Sequence, residues 1–317
     1  MFASALRLRS QGVLGMNERN CDLIQRYNPR RLYPLVDDKL QTKQLALAAG
    51  IAVPELYGVI ATPRDTRALP DLVAGRDEFV IKPAQGSGGD GILVVRGKSA
   101  RRQGVYRLGN GEFISASALS YHVTNIISGR YSLGGNRDRA MIEYCVQADP
   151  VFSAVSYRGV PDVRVLVFRG YPAIAMLRLP TRASDGKANL HLGAIGTGVA
   201  LDTGLTQFGV MHDHSIEEHP DTGELVTGLQ VPQWELLLDL AARCYELTGL
   251  GYMGVDLVLD ETLGPLILEL NARPGLAIQI ANQVGLRHRI ARISEESTQR
   301  DPSDRVAFSR QVFRSKI

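Results

Sequence analysis

Apolar residues recur along this chain at two spacings, every second position in several short runs and every third or fourth in others, so strands and helices are interleaved throughout. The clearest helical run is 232–248, where Trp234, Leu237, Leu238, Ala241 and Tyr245 fall on one face, Pro232 opens the run and Gly249 closes it. A shorter helix is predicted over 39–49. Helix formers follow the acidic pair Asp37-Asp38, Gly50 ends them, and Pro54 stands just beyond. Lys39 and Lys43 share one face of it. Strands are predicted at 79–83 and 91–95, joined by the glycine-rich string AQGSGGD, and at 141–146. Two more pairs read as hairpins: 162–168 with 172–178 around Arg169-Gly170, and 254–260 with 265–270 around 261–264. Helix followed by hairpin gives an α+β class with largely antiparallel sheets.

A length of 317 residues suits one composite domain or two to three joined lobes, and 44% hydrophobic with 22% charged residues is an ordinary globular balance. The net charge is only +3, and residues 287–317 hold eight basic and four acidic side chains. The body is therefore near neutral, which argues against a large nucleic-acid surface, and the end reads as a solvated basic tail. Cys21, Cys145 and Cys244 are far apart, form no CxxC pair and read as ordinary buried thiols of a reducing compartment. Arg7 and Arg9 break the apolar N-terminal stretch, and no other run is long enough to span a membrane, so the expected location is the cytoplasm.

The string Gly86-Ser87-Gly88-Gly89-Asp90-Gly91 matches GxGxxG, yet Ile92 to Val95 resume a strand where a dinucleotide turn needs a helix. A kinase places its glycine loop before the strand lysine, whereas Lys82 precedes these glycines, and no Walker string is present. A flap closing over phosphates with Lys82 as a point charge, and a plain hairpin loop, both remain open for this segment alone. The second informative stretch is 254–271. If its turn centres between Thr262 and Leu263, Asp256 lies opposite Glu269, with Asn271 on the same face and Leu268 and Leu270 on the other. Paired carboxylates are tolerated where a hard cation offsets them, and the absence of soft or nitrogen ligands favours Mg²⁺ over Zn²⁺. The flanking Ile267, Leu268 and Leu270 speak against a solvated acidic face. His212, His214 and His219 lack HExxH spacing and read as a polar loop.

Taken together, DDKLQTK, FVIKPAQGSGGDG, MIEY, DVRVLVF, ANLHLG, GVDLVL and ILELNARPG follow the order and character of the ATP-grasp superfamily. Over about residues 37–285 the chain resembles in particular the ribosomal-protein glutamate ligases and the alpha-L-glutamate ligase-like proteins. The resemblance implies an ATP-grasp fold, two α+β lobes holding ATP between them. It implies ATP and Mg²⁺ as cofactors, two ions with Mn²⁺ as a substitute. Lys39 and Lys82 then contact phosphates, and Gln85, Gly86, Ser87, Gly88 and Gly89 form the closing loop. Glu143 and Tyr144 form the adenine hinge, Asp162 lies by the ribose, and Lys187 is also placed with the nucleotide. Arg178, Asn189 and Arg273 are the catalytic candidates, and Asp256, Glu269 and Asn271 are the Mg²⁺ ligands.

The implied activity joins a carboxylate to an amine through an acyl phosphate, adding glutamate or a similar amino acid to a peptide, protein or small molecule. A phosphotransferase and a nucleotide-binding scaffold without turnover are the alternatives. The expected domains are an extension at 1–38 in place of the usual substrate lobe, an ATP-grasp domain at 39–286, and the tail. Within the domain, a mobile glycine-loop part is expected at about 78–141 and a metal-binding lobe at about 142–286. The extension or the tail is the expected contact for any protein partner. Lys187-Ala188 stands where those ligases have Arg-Ser, and 147–161 lengthens the connection from hinge to strand.

Overall fold

The computed structural model describes residues 5–86, 88–212 and 214–315, and the chain divides into two compact units. The small unit comprises residues 38–43 and 53–147; the large unit comprises those up to 37, 44–52, and 148 onward.

Among the described residues the small unit forms a six-stranded sheet from β1 (Leu56–Ile60), β2 (Glu78–Pro83), β3 (Leu93–Lys98), β4 (Val105–Leu108), β5 (Phe113–Ser115) and β6 (Ala140–Glu143). Their order is β1-β6-β2-β3-β4-β5, with every pairing antiparallel. Helix Ala116–Ile127 starts at Ser115, whose hydroxyl accepts the Ala118 N–H at 3.2 Å. Its Leu119, Val123, Ile126 and Ile127 pack on Ile60, Phe79, Ile81, Val95 and Ile142. The unit starts well before the expected residue 78, because β1 pairs with β6 and so belongs to the same sheet.

The glycine-rich connection from β2 to β3 is tied down at both ends. The Gln85 N–H donates to the Asp138 carboxylate at 3.0 Å, and Gly86 bridges to Ser132. At the far end His122 Nε2–H donates to the Gly91 carbonyl at 2.9 Å, while a Cβ on Gly91 would meet the Tyr131 ring at 2.6 Å. Burial lowers the His122 pKa from its ordinary 6.5, opposed by the bond to Gly91.

The large unit, again among the described residues, forms a seven-stranded antiparallel sheet. Its strands are β7 (Asp162–Phe168), β8 (Tyr171–Leu179), β9 (Ile195–Val199), β10 (Thr206–Met211), β11 (His214–Ile216), β12 (Tyr252–Asp260) and β13 (Gly264–Asn271), in the order β11-β10-β9-β8-β7-β12-β13. Arg169 and Gly170 turn β7 into β8 with φ of 51° and 83°, the positive pair a tight hairpin requires. Helix Trp234–Thr248 packs on β7, β8, β12 and β13. Val163, Val165, Leu177, Val255 and Leu257 are buried, and they alternate with Asp162, Arg164, Arg178 and Asp256 on the opposite face.

The described residues near both ends differ from expectation, being parts of the large unit rather than an extension and a solvated tail. Asn28 acts as a peptide surrogate at the start of β12: its Nδ2 donates to the Tyr252 and Ala272 carbonyls at 2.6 and 2.8 Å, and its Oδ1 accepts the Tyr252 N–H at 2.9 Å. Near the other end, helices Leu286–Ser294 and Pro302–Val312 bury Leu286, Ile290, Ile293 and Val306, and Phe313 just beyond is buried too. Arg305 is wholly buried and pairs with Glu246 at 2.6 Å. The apolar period of three to four is present in this segment, and it outweighs the excess of arginine. No helix among the described residues is long and apolar enough to cross a membrane.

We expect Asn28→Ala to lower the unfolding free energy by about 2–4 kcal/mol, since it leaves buried backbone groups unpaired; an unchanged urea midpoint would contradict this. For His122 the folded pKa lies below the unfolded one, so the folded state binds fewer protons. Its contribution to stability is complete above pH 6.5 and is lost as the pH falls through the folded value. Urea midpoints measured across pH 5–8 should drop on the acid side, with a shallower drop in His122→Gln.

Candidate functional site

In the small unit, three charged side chains share one buried cluster. Lys82 on β2 and Glu143 on β6 form an ion pair through Glu143 Oε1, while Lys43 Nζ lies 3.0 Å from Glu143 Oε2 and also donates to the Pro54 carbonyl. The side chains of both lysines are 8% exposed or less, so two cations share one carboxylate out of water. Burial lowers the Lys43 pKa, Lys82 adds to that, and Glu143 opposes it. Lys43 was missed as a candidate, although its i,i+4 spacing from Lys39 was visible.

Around this cluster, Lys39 Nζ donates to the Gly86 carbonyl at 2.6 Å. Asp38 caps helix Lys39–Ala48 by accepting the Leu40 and Gln41 N–H groups at 3.1 and 3.2 Å, and it also accepts from Arg139 and from Gln85 Nε2. Gly88 and Gly89 hold φ of 66° and 82°, which suits the backbone N–H groups of this loop to an anion; Ser87 lies outside the described residues. Of the expected adenine hinge, the Glu143 carboxylate is engaged by the two lysines, and the Tyr144 N–H donates to the Glu55 carbonyl at 2.8 Å.

In the large unit, Asp256 faces Glu269 across β12 and β13, and Arg164 across β7. The expected opposition of the carboxylates is present, but it arises differently. Pairing of Asp260 with Gly264 centres the turn on Thr262, and an irregularity at Leu268 then shifts the register by one. Were the pairing regular with Leu268 retained, Leu268 would oppose Asp256, and Glu269 would sit among the apolar side chains. Asp260 fixes the turn, its Oδ1 accepting from Thr262 N–H, Thr262 Oγ1–H and Leu263 N–H at 2.9–3.0 Å.

Arg164 Nε and Nη2 donate to the two Asp256 oxygens at 2.6 and 2.5 Å, and Arg178 Nη2 donates to Asp256 at 2.8 Å. Arg178 also forks onto Asp162 at 2.5 and 2.6 Å. Both oxygens of the residue expected beside the ribose are thus engaged by the residue expected at the phosphoryl group. Asn271 Nδ2 lies 3.4 Å from Asp256 and 3.5 Å from Glu269. Burial pushes Asp162 up to about 6; Arg178 opposes this and Asp256 reinforces it. Burial acts on Asp256 in the same sense, but Arg164 and Arg178 outweigh it and hold that carboxyl well below the usual range. The two acids in turn raise the Arg178 pKa against the effect of burial. Arg164 was missed as a candidate, yet it stands two residues beyond Asp162 in DVR and therefore on the same strand face.

Two carboxylates and an amide within reach of one another form a hard-oxygen set suited to Mg²⁺, and turning the Asn271 amide over would present its oxygen. Among the described residues no group of three or more His, Cys, Asp or Glu is placed to hold a metal. Arg273 is exposed, lying 3.2 Å from Asp37 with its guanidinium 5.1 Å from the Tyr33 ring centre. Asn189 Oδ1 accepts the His191 N–H at 3.0 Å and caps the turn Leu190–Leu192. Lys187 is half-buried, its N–H donating to the Ser184 carbonyl at 3.1 Å. Two expectations are corrected. His219 is fully buried, with Nε2–H donating to the Pro180 carbonyl and Nδ1 accepting from Asp221, and Cys21 is exposed.

Among known proteins, a probable alpha-L-glutamate ligase of Xanthomonas oryzae is 26% identical over 250 residues, covering 78% of this chain and 61% of that protein. The ribosomal protein bS6–L-glutamate ligase of Salmonella paratyphi B is 26% identical over 239 residues, covering 75% and 56%. The chain thus spans roughly three-fifths of the length of these curated relatives. A RimK-domain ATP-grasp protein from Sphaerobacter thermophilus has a TM-score of 0.46 at 16% identity, covering 84% of this chain and 70% of that one. D-alanine–D-alanine ligase from Bacillus anthracis has a TM-score of 0.45 at 13% identity, covering 88% and 69%. The model of the sugar-transfer associated ATP-grasp family matches residues 18–295, nearly the whole chain, and the protein belongs to that family.

Proposed function

We propose that this protein is an ATP-dependent ligase that activates a carboxylate and joins it to an amine. The observation that carries the reading is the buried surplus of positive charge where Lys43 and Lys82 share Glu143, which suits a polyphosphate. Lys39, Lys82 and the backbone N–H groups of Gly88 and Gly89 hold the phosphates. Asp256, Glu269 and Asn271 would hold Mg²⁺, which would supply positive charge to offset that of the nucleotide.

Attack of a carboxylate oxygen on the terminal phosphorus breaks the bond to ADP and gives an acyl phosphate. The amine nitrogen then attacks the acyl carbon, loses a proton and expels phosphate. Arg178 offsets charge on the transferred group, a contribution of about 2.7–4 kcal/mol for a well-placed donor. The glycine loop, anchored by Gln85 and Gly91, excludes water that would hydrolyse the intermediate. Asn189 and Arg273 are assigned to substrate positioning. Glutamate as the joining amino acid rests on the names of the curated relatives. We place the protein in the cytoplasm, in keeping with three cysteines that lie far apart in the sequence.

Lys82→Met should weaken ATP binding about tenfold or more while leaving adenosine affinity unchanged, as calorimetry would read; equal loss for both would remove the lysine from the phosphates. With hydroxylamine as the amine, ATP and the true acid should yield a hydroxamate, and Glu269→Ala should abolish it with the fold intact by circular dichroism. A phosphorylated hydroxyl product in place of hydroxamate would instead identify a phosphotransferase.

A further inference from the structure

Past Glu143, where β6 ends, side chains take over from the ladder in holding the chain of the small unit. Glu78 on β2 and Arg96 on β3 stand opposite each other in the register of that pair, and Gln147 joins them. Arg96 Nη1 donates to Gln147 Oε1 at 2.8 Å and to Glu78 Oε2 at 3.3 Å, and Gln147 Nε2 donates to the same carboxylate oxygen. Gln147 Nε2 also donates to the Cys145 carbonyl at 3.0 Å, and Arg96 Nη2 lies 3.5 Å from the Val146 carbonyl.

These contacts leave the Gln147 amide one orientation. Turned over, its NH₂ would face a guanidinium, and its oxygen would face a carboxylate and a carbonyl. The bond to Cys145 in turn fixes the peptide plane between Cys145 and Val146. Because that plane is rigid and trans, holding the Cys145 oxygen on one side directs the Val146 N–H to the other. Cys145 and Val146 are buried, at 2% and 7% exposed, yet the Val146 N–H has no partner among the described residues. Buried backbone N–H groups are nearly always paired, so this one calls for an acceptor supplied by a ligand.

The side chains of Arg96 and Glu78 are 20% and 37% exposed, and ion pairs of that kind add little to stability. Their effect is on direction. Glu78 and Lys82 lie on one face of β2, alternating with the buried Phe79 and Ile81. Four residues of strand separate them by about 13 Å, the length scale of a nucleotide from phosphate to base.

We infer that Arg96 is a positioning residue for nucleobase selection: through Gln147 it aims the Val146 N–H at ring nitrogen N1 of adenine. The inference rests on the nucleotide reading above. Adenine N1 accepts a hydrogen bond, whereas guanine N1 carries a hydrogen of its own, so guanine would leave two donors face to face.

The test is calorimetry of the full chain with ATP, GTP and tripolyphosphate, each with Mg²⁺. The parent should prefer ATP to GTP. Arg96→Met should weaken ATP about tenfold or more, narrow the ATP-to-GTP ratio by a similar factor and leave tripolyphosphate unchanged. Gln147→Met should do the same, and the two together should lose no more than either alone, because one path carries both. Arg96→Lys keeps a donor for Gln147 Oε1 and should recover part of the affinity. Urea midpoints would show the variants folded, and should Arg96→Met fail there, Gln147→Met reads the same path. Unchanged ATP affinity in the folded variants, equal loss for ATP and tripolyphosphate, or losses that add in the double variant would overturn the inference. So would a parent that binds ATP and GTP alike. A parent that binds neither ATP nor tripolyphosphate would bring down the nucleotide reading as well, whereas the other outcomes touch only the Arg96 assignment.

Discussion

Buried charge is the constraint around which both units are arranged. A carboxylate or ammonium withdrawn from water costs several kcal/mol unless partners surround it. In the small unit Glu143 meets this demand for Lys82 and Lys43, and the result is one positive charge too many. In the large unit Arg164 and Arg178 meet it for Asp162 and Asp256.

The same balance gives the acidic face its rigidity. Arg178 touches both Asp162 and Asp256, so neither carboxylate can turn without disturbing the other. The pKa values divide accordingly: Asp256, with two guanidinium partners, stays ionised, while Asp162, sharing one, is pushed toward neutrality.

Much of this was legible in the sequence where local pattern decides the outcome. The hairpins ending in Arg178 and Asn271, and the helix carrying Trp234, have the periods and turn residues that specify them. Asp256, Glu269 and Asn271 come together as expected, although an irregularity at Leu268, which the sequence did not announce, is what places Glu269 opposite Asp256. What failed to show was pairing over distance. Nothing near Glu143 reveals Lys43, a hundred positions earlier. The C-terminal segment misled for another reason: its arginines were counted, while the buried row of Leu286, Ile290 and Ile293 was not.

The extra residue at Leu268 carries a consequence for how this hairpin tolerates change. Strand side chains obey a two-state parity, and β13 switches parity once between Ile267 and Glu269. Regular pairing that kept Leu268 in the ladder would exchange wet and dry sides for everything downstream, driving an acid and an amide into oil while lifting Leu270 into water; removal of Leu268 would leave Glu269 opposite Asp256. The surplus residue is thus harmless only while it stays out of the ladder, although Leu268 itself contributes no chemistry.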